Sequence, residues 1–87
     1  MKKEWHEKAW ADYLFWQIQD KKTIKKINNL IRDLERSGDK GIGHQEHLRG
    51  DLSGWSSVRI DQKNRLIYQI KGDVIQILSC RGHYSDK

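Results

Sequence analysis

"SSVRIDQKNRLIYQIKGDVIQILSC", residues 56–80, decides the fold. Two apolar-rich runs, SSVRI (56–60) and RLIYQI (65–70), are separated by DQKN, a cluster of turn formers. KGD then leads into a third run, DVIQILSC (73–80). Three such runs joined by tight turns predict an antiparallel meander. QEHLRG, just upstream at 45–50, is a short strand candidate ahead of it.

The pattern changes on moving toward the N-terminus. Glu7 to Gln19 reads as a helix, with Trp10, Tyr13, Leu14 and Ile18 recurring at three-to-four spacing as its core-facing stripe. Asp20 is a good N-cap for a second helix, whose stripe is Ile24, Ile27, Leu30, Ile31 and Leu34. Ser37-Gly38 ends it, with Gly38 suited to a left-handed C′ position. Almost no loop separates the helices, so they fold back as a hairpin. KKEWH at 2–6 is a candidate edge strand, and GDKGIGH at 38–44 is a glycine-rich surface connection without phosphate-loop spacing. Two helices followed by three or four strands is an α+β order. The expected architecture is two N-terminal helices packed on one face of a small antiparallel sheet, with the other face partly open to solvent.

Composition bounds what this domain does. The 87 residues make one domain, 1–87, with one small core. The apolar fraction is only 36%, but four Trp and three Tyr argue against disorder. A net charge of +5 fits nucleic acid, a membrane surface or an acidic protein partner. A single Cys excludes an internal disulfide framework. No apolar run approaches a membrane span, and the N-terminus lacks the apolar core of a secretory signal, so cytoplasm is the expected location.

The strand half concentrates the chemistry: Glu46, Arg49, Arg59, Arg65, Arg81, His83 and Tyr84. A carboxylate, a histidine and several arginines are what phosphodiester cleavage needs, as base, acid and cations for the charge on phosphorus. Arg grips phosphate oxygens with a planar fork. If residue 59 pairs with 65, both arginines share one face while Val58 and Leu66 point to the core. A two-residue turn at 62–63 would instead set Arg59 beside Leu66. For His83, a two-residue turn at Gly72-Asp73 puts it by strict alternation on the face opposite Arg65. A three-residue turn at 71–73, or a break at Gly82, brings them together. Tyr84, close to the end of the chain, has little core to join and suits base stacking. His44-x-x-His47 and Cys80-x-x-His83 have zinc-like spacing, but Cys80 reads better as a small buried residue, so no metal and no cofactor is expected.

"HQEHLRGDLSGWSSVRIDQKNRLIYQI" with the terminal "CRGHY" resembles the YoeB/Txe toxins of the RelE superfamily. "WHEKAWADYLFWQIQDKKTIKKINNLIRDLER" is similar to the two-helix half of the same family. The resemblance implies a microbial-RNase-like fold and the toxin of a type II toxin–antitoxin pair, cutting mRNA in the ribosomal A site. It implies an acidic YefM/Axe-like antitoxin as partner, operator DNA contacted only through that complex, and a homodimer as in relatives. Carried over, Glu46 is the base, Arg65 the transition-state cation, His83 the acid and Tyr84 the residue that aligns the nucleotide. Arg49, Arg59 and Arg81 are substrate contacts, with Arg49 standing where relatives more often have lysine and His47 where they often have proline. Two other readings compete: a non-catalytic gyrase-poisoning relative, and a plain RNA-binding module.

Overall fold

The alternation in residues 56–80 folds as its parity requires. The computed structural model describes residues 1–38 and 45–82, so most of the glycine-rich loop, and also His44, His83 and Tyr84, lie outside the described residues. The elements are β1 (Lys2–Trp5), α1 (Glu7–Gln19), α2 (Lys21–Ser37), β2 (Gln45–His47), β3 (Ser56–Arg59), β4 (Arg65–Lys71) and β5 (Val74–Ser79). The strands make one sheet in the order β1-β5-β4-β3-β2. β2 to β5 form the expected antiparallel meander. β1 is an edge strand, but it runs parallel to β5, so the sheet is mixed rather than antiparallel. A parallel neighbour needs a long connection, and the helices and the meander between β1 and β5 supply one. The candidate strand at 45–50 stops at His47, because Leu48 turns into a loop and donates its N–H to the Trp55 carbonyl at 2.9 Å.

Sheet parity sorts the side chains. Val58, Leu66, Tyr68, Ile75 and Ile77 face the helices and are almost fully buried. Arg59 pairs with Arg65 and Ser57 with Ile67, which puts those four on the opposite face. The β3–β4 turn is closed by Ile60 N–H to the Asn64 carbonyl at 2.9 Å. The β4–β5 turn has two residues, Gly72 and Asp73, since Lys71 pairs with Val74. Strict alternation nevertheless fails further along. Tyr68 pairs with Ile77 but Ile67 pairs with Ser79, so Leu78 is an extra, bulged residue. The bulge puts Ser79 opposite Ile67, on the face that strict alternation would have denied it.

α2 is built as its sequence reads. The Asp20 carboxylate accepts from the N–H groups of Lys22 (3.0 Å) and Thr23 (3.3 Å) and from the Thr23 hydroxyl (2.9 Å). Those bonds satisfy donors that the first helical turn leaves open. The hydroxyl and N–H of Thr23 hold the Asp20 carboxyl below its usual range, with Lys22 adding to the effect. Ile27, Leu30, Ile31 and Leu34 are buried, and Gly38 closes the helix at φ 62°.

α1 has the predicted limits but not the predicted buried side. Trp10, Leu14 and Ile18 are 47%, 40% and 83% exposed, so the apolar stripe faces outward and Trp10 is not a core residue. The inward row is Ala9, Asp12 and Trp16, with Tyr13 beside it. Ala9 is fully buried in the core cluster that includes β5 residues, and α1 leans on that strand. A large residue there would push the helix off the sheet. Tyr13 packs at the core edge and donates its hydroxyl to the Asn28 side chain of α2 at 2.8 Å.

Candidate active site

Glu46 follows the same parity. It pairs with Ser57, so its side chain lies on the face that carries Arg59 and Arg65. Arg65 Nη2 lies 2.9 Å from Glu46 Oε1. Arg65 Nε donates to the Ser57 hydroxyl, and its Nη2 reaches the Ser57 carbonyl at 3.5 Å. The Arg65 side chain is 13% exposed and that of Glu46 68%. The cation is therefore anchored in the sheet face and the carboxylate stands at the surface. Glu46, Arg59 and Arg65, with Gln45, line a cavity of about 310 Å³.

This arrangement is electrostatically uneven. Like charges directly opposite in an antiparallel pair are destabilising, and Arg59 faces Arg65 in that way. Among the described residues the one carboxylate paired with this group is that of Glu46. Only the Glu46 end of this pair is exposed, and solvent there weakens the attraction that offsets the Arg59–Arg65 repulsion. A second cavity, of about 460 Å³, lies on the same face. Leu52, Ile67 and Leu78 contribute to its walls, beneath the loop from Leu48 to Trp55. That loop contains one 3-10 turn, Gly50–Leu52, and its Trp55 ring meets His6 edge-on at 5.5 Å.

The other predicted residues distribute differently. Arg49 is exposed just before the 3-10 turn and does not line the cavity with Glu46. Arg81 does not join that cavity either; its guanidinium lies 3.5 Å over the Phe15 ring of α1, a cation–π contact. The zinc reading finds no support at Cys80. Its buried thiol donates to the Ala9 carbonyl at 3.7 Å, and burial, with Asp12 nearby, pushes the thiol up to about 12. A thiolate ligand is disfavoured there. His47 Nδ1 is 3.1 Å from the Ser56 hydroxyl. His83 and Tyr84 lie outside the described residues.

Sequence reasoning missed Ser57. Its signal was available, since the 59–65 register puts residue 57 on the arginine face. It also missed Asn64 and Asp61. The Asp61 carboxylate accepts from the Lys63 and Asn64 N–H groups, both at 2.7 Å, and from the Asn64 side-chain amide. Burial opposes ionisation of Asp61, but the bonds from Asn64 and Lys63 outweigh it and hold the carboxyl below its usual range. Asn64 Oδ1 in turn accepts the Gly82 N–H at 2.8 Å, and Arg65 N–H donates to the Gly82 carbonyl at 3.1 Å.

Comparison with known proteins agrees with this fold. Residues 5–84 match the family described as YoeB-like toxin of bacterial type II toxin–antitoxin system. The chain is 46% identical to toxin YoeB of Escherichia coli strain K12 over 84 residues, covering 97% of this chain and 100% of that one. A YoeB/ParE toxin from Agrobacterium tumefaciens superposes with a TM-score of 0.91 at 40% identity, covering 97% of this chain and 100% of that one. YoeB from Staphylococcus aureus, solved in a heterotetrameric YoeB–YefM toxin–antitoxin complex, gives 0.89 at 39% identity over 97% and 98% of the two chains.

Proposed function

Because this chain belongs to the family of YoeB-like toxins of bacterial type II toxin–antitoxin systems, we propose that it is an endoribonuclease that cuts mRNA in the ribosomal A site. The observation that carries this reading is the Glu46–Arg65 pair, held with Arg59 in one cavity on the open sheet face. A base, a buried-stem cation and a second cation sit where an extended strand of RNA reaches them.

In the reaction Glu46 takes the proton of a ribose 2′-hydroxyl. The freed oxygen attacks the adjacent phosphorus, and the bond to the 5′-oxygen breaks as His83 protonates it. The products are a 2′,3′-cyclic phosphate and a 5′-hydroxyl. Arg65 and Arg59 balance the charge that builds on the phosphoryl oxygens. Side chains fill every role, so no step is routed through a metal or a cofactor. The ion pair of the free protein fits this scheme. An incoming phosphate takes over the Nη atoms of Arg65 and releases the Glu46 carboxylate, while Ser57 keeps Nε in place. Tyr84 aligns the nucleotide, and Arg49 and Arg81 are outlying contacts to the strand. The Leu78 bulge supports the role of His83, because it reverses strand parity ahead of that residue. DNA is not a substrate, since it lacks the 2′-hydroxyl.

The inhibiting partner is an acidic antitoxin of the YefM kind, which the net charge of +5 suits, and operator DNA is contacted through that complex. A YoeB from Staphylococcus aureus has been solved as a dimer, and the same assembly is proposed here. Among the described residues no helix is long and apolar enough to cross a membrane, and the site of action is the cytoplasm.

The test compares wild type, Glu46→Gln and His83→Gln expressed in bacteria, with mRNA 5′ ends mapped and gyrase assayed separately. General base and general acid each contribute about 10²–10⁴-fold, so each variant loses cleavage on that scale while staying folded. Undiminished cleavage by either variant removes that residue from the mechanism. Gyrase-linked DNA breaks without RNA cuts would favour the gyrase-poison reading.

A further inference from the structure

The inward row of α1 meets the core at Ala9 and, at Asp12 and Trp16, also bonds to backbone. Asp12 is only 6% exposed, and its Oδ2 accepts the Cys80 N–H at 3.1 Å and the Lys8 ammonium at 2.8 Å. The same ammonium donates to the Arg81 carbonyl at 3.3 Å. One turn on, Trp16 Nε1 donates to the Cys80 carbonyl at 2.9 Å. From the other side Asn64 takes the Gly82 N–H at 2.8 Å and the Arg65 N–H binds the Gly82 carbonyl at 3.1 Å. Both backbone polar groups of Cys80, and both of Gly82, are thus bonded. Gly82 sits at φ 101°, a conformation that residues with a Cβ rarely adopt.

A buried carboxylate is an expensive way to pack a helix on a sheet, because its desolvation must be offset by bonds. An apolar residue at position 12 would avoid that cost but leave the buried Cys80 N–H without its acceptor, so the carboxylate is tied to holding this backbone. Here the ties come from two separate elements and converge on three consecutive residues beside Arg65.

We infer that Asp12, Lys8 and Trp16 of α1, together with Asn64, are positioning residues that fix the backbone of residues 80–82 against Arg65. They fix the residues that immediately precede His83 and Tyr84 in sequence. The inference rests on the ribonuclease reading for its catalytic consequence, and its geometry is testable without it. Asp12→Asn keeps an acceptor for the Cys80 N–H, whereas Asp12→Ala does not. Asn64→Ala releases Gly82 from a site outside the core.

The experiment uses the full chain and two readouts: cleavage of mRNA on programmed ribosomes well below the melting temperature, followed over a range of ribosome concentrations, and amide hydrogen exchange at Cys80 and Gly82. Misplacing a reacting group by about 1 Å costs on the order of 10²-fold, so Asp12→Ala and Asn64→Ala lose roughly 10–100-fold in rate, with KM within about twofold. Asp12→Asn stays within about threefold of wild type, because the bond to Cys80 survives. Exchange accelerates at Cys80 in Asp12→Ala and at Gly82 in Asn64→Ala, since each amide loses its acceptor. Wild-type rates per folded molecule in Asp12→Ala and Asn64→Ala, or unchanged exchange at both amides, overturn the inference. A wild-type protein that leaves RNA intact overturns the ribonuclease reading instead, and the exchange data alone then decide the positioning role.

Discussion

α1 and α2 lie side by side on one face of the same sheet, yet they bury opposite kinds of surface. α2 buries Ile27, Leu30, Ile31 and Leu34, and turns its lysines outward. α1 buries Ala9 and Asp12, and exposes Trp10, Leu14 and Ile18. One helix is held by apolar area. The other is held by a close approach at a small residue, by aromatic edges and by hydrogen bonds to the last strand. The difference teaches that helix packing and tail positioning are divided between the two: α2 supplies the core, and α1 supplies the frame for residues 80–82.

Three measurements press on that division. The largest effect belongs to α2. Ile27 is fully buried, so Ile27→Ala leaves a cavity and costs about 2–5 kcal/mol, read as a lower urea midpoint at an unchanged slope. In so small a domain that removes much of the total stability. An intermediate loss is expected for Asp20→Asn, and only at the alkaline side of its titration. The folded-state pKa of Asp20 is lowered, so its contribution is complete above the unfolded value of about 4 and disappears as pH falls through the folded one. Melting curves of wild type and variant between pH 7 and 2 therefore converge at the acid end. The smallest effect belongs to α1. Ile18 is 83% exposed, and Ile18→Ser changes the stability of the dilute protein by less than about 0.5 kcal/mol. A loss as large as that of Ile27→Ala would mean that the outward stripe is covered and that the two helices are alike after all.

The contrast also marks how far the fold was legible in the sequence. α2, its cap and the meander were readable because apolar periodicity and sheet parity agree with burial there. The 59–65 register was readable for the same reason, as the alternative would have set an arginine beside Leu66 on the core side. α1 misled because Trp10, Tyr13, Leu14 and Ile18 do form a stripe, and a stripe does not say which side of the helix the sheet is on. The inward Asp12 carried no apolar signal at all. The Leu78 bulge was invisible, since nothing in "VIQILS" distinguishes an inserted residue from a paired one. At the site, Glu46, Arg59 and Arg65 are brought together as the motif resemblance implied. The contact of Arg81 with Phe15 was not legible, since a cation–π pair between residues 66 positions apart leaves no local pattern.

The pairing of β1 with β5 has its own consequence for how the protein is made. Residues 2–5 are made before residues 74–77 and wait for them before they have this neighbour. α1 waits as well, because the strand it leans on, β5, is made after the rest of the sheet. Closing so long a loop is entropically costly and is deferred until late in folding. The nascent chain therefore stays open until residues 74–77 have emerged. A product broken off before Val74 has an unpaired first strand and an unsupported first helix. It is food for proteases rather than a smaller toxin.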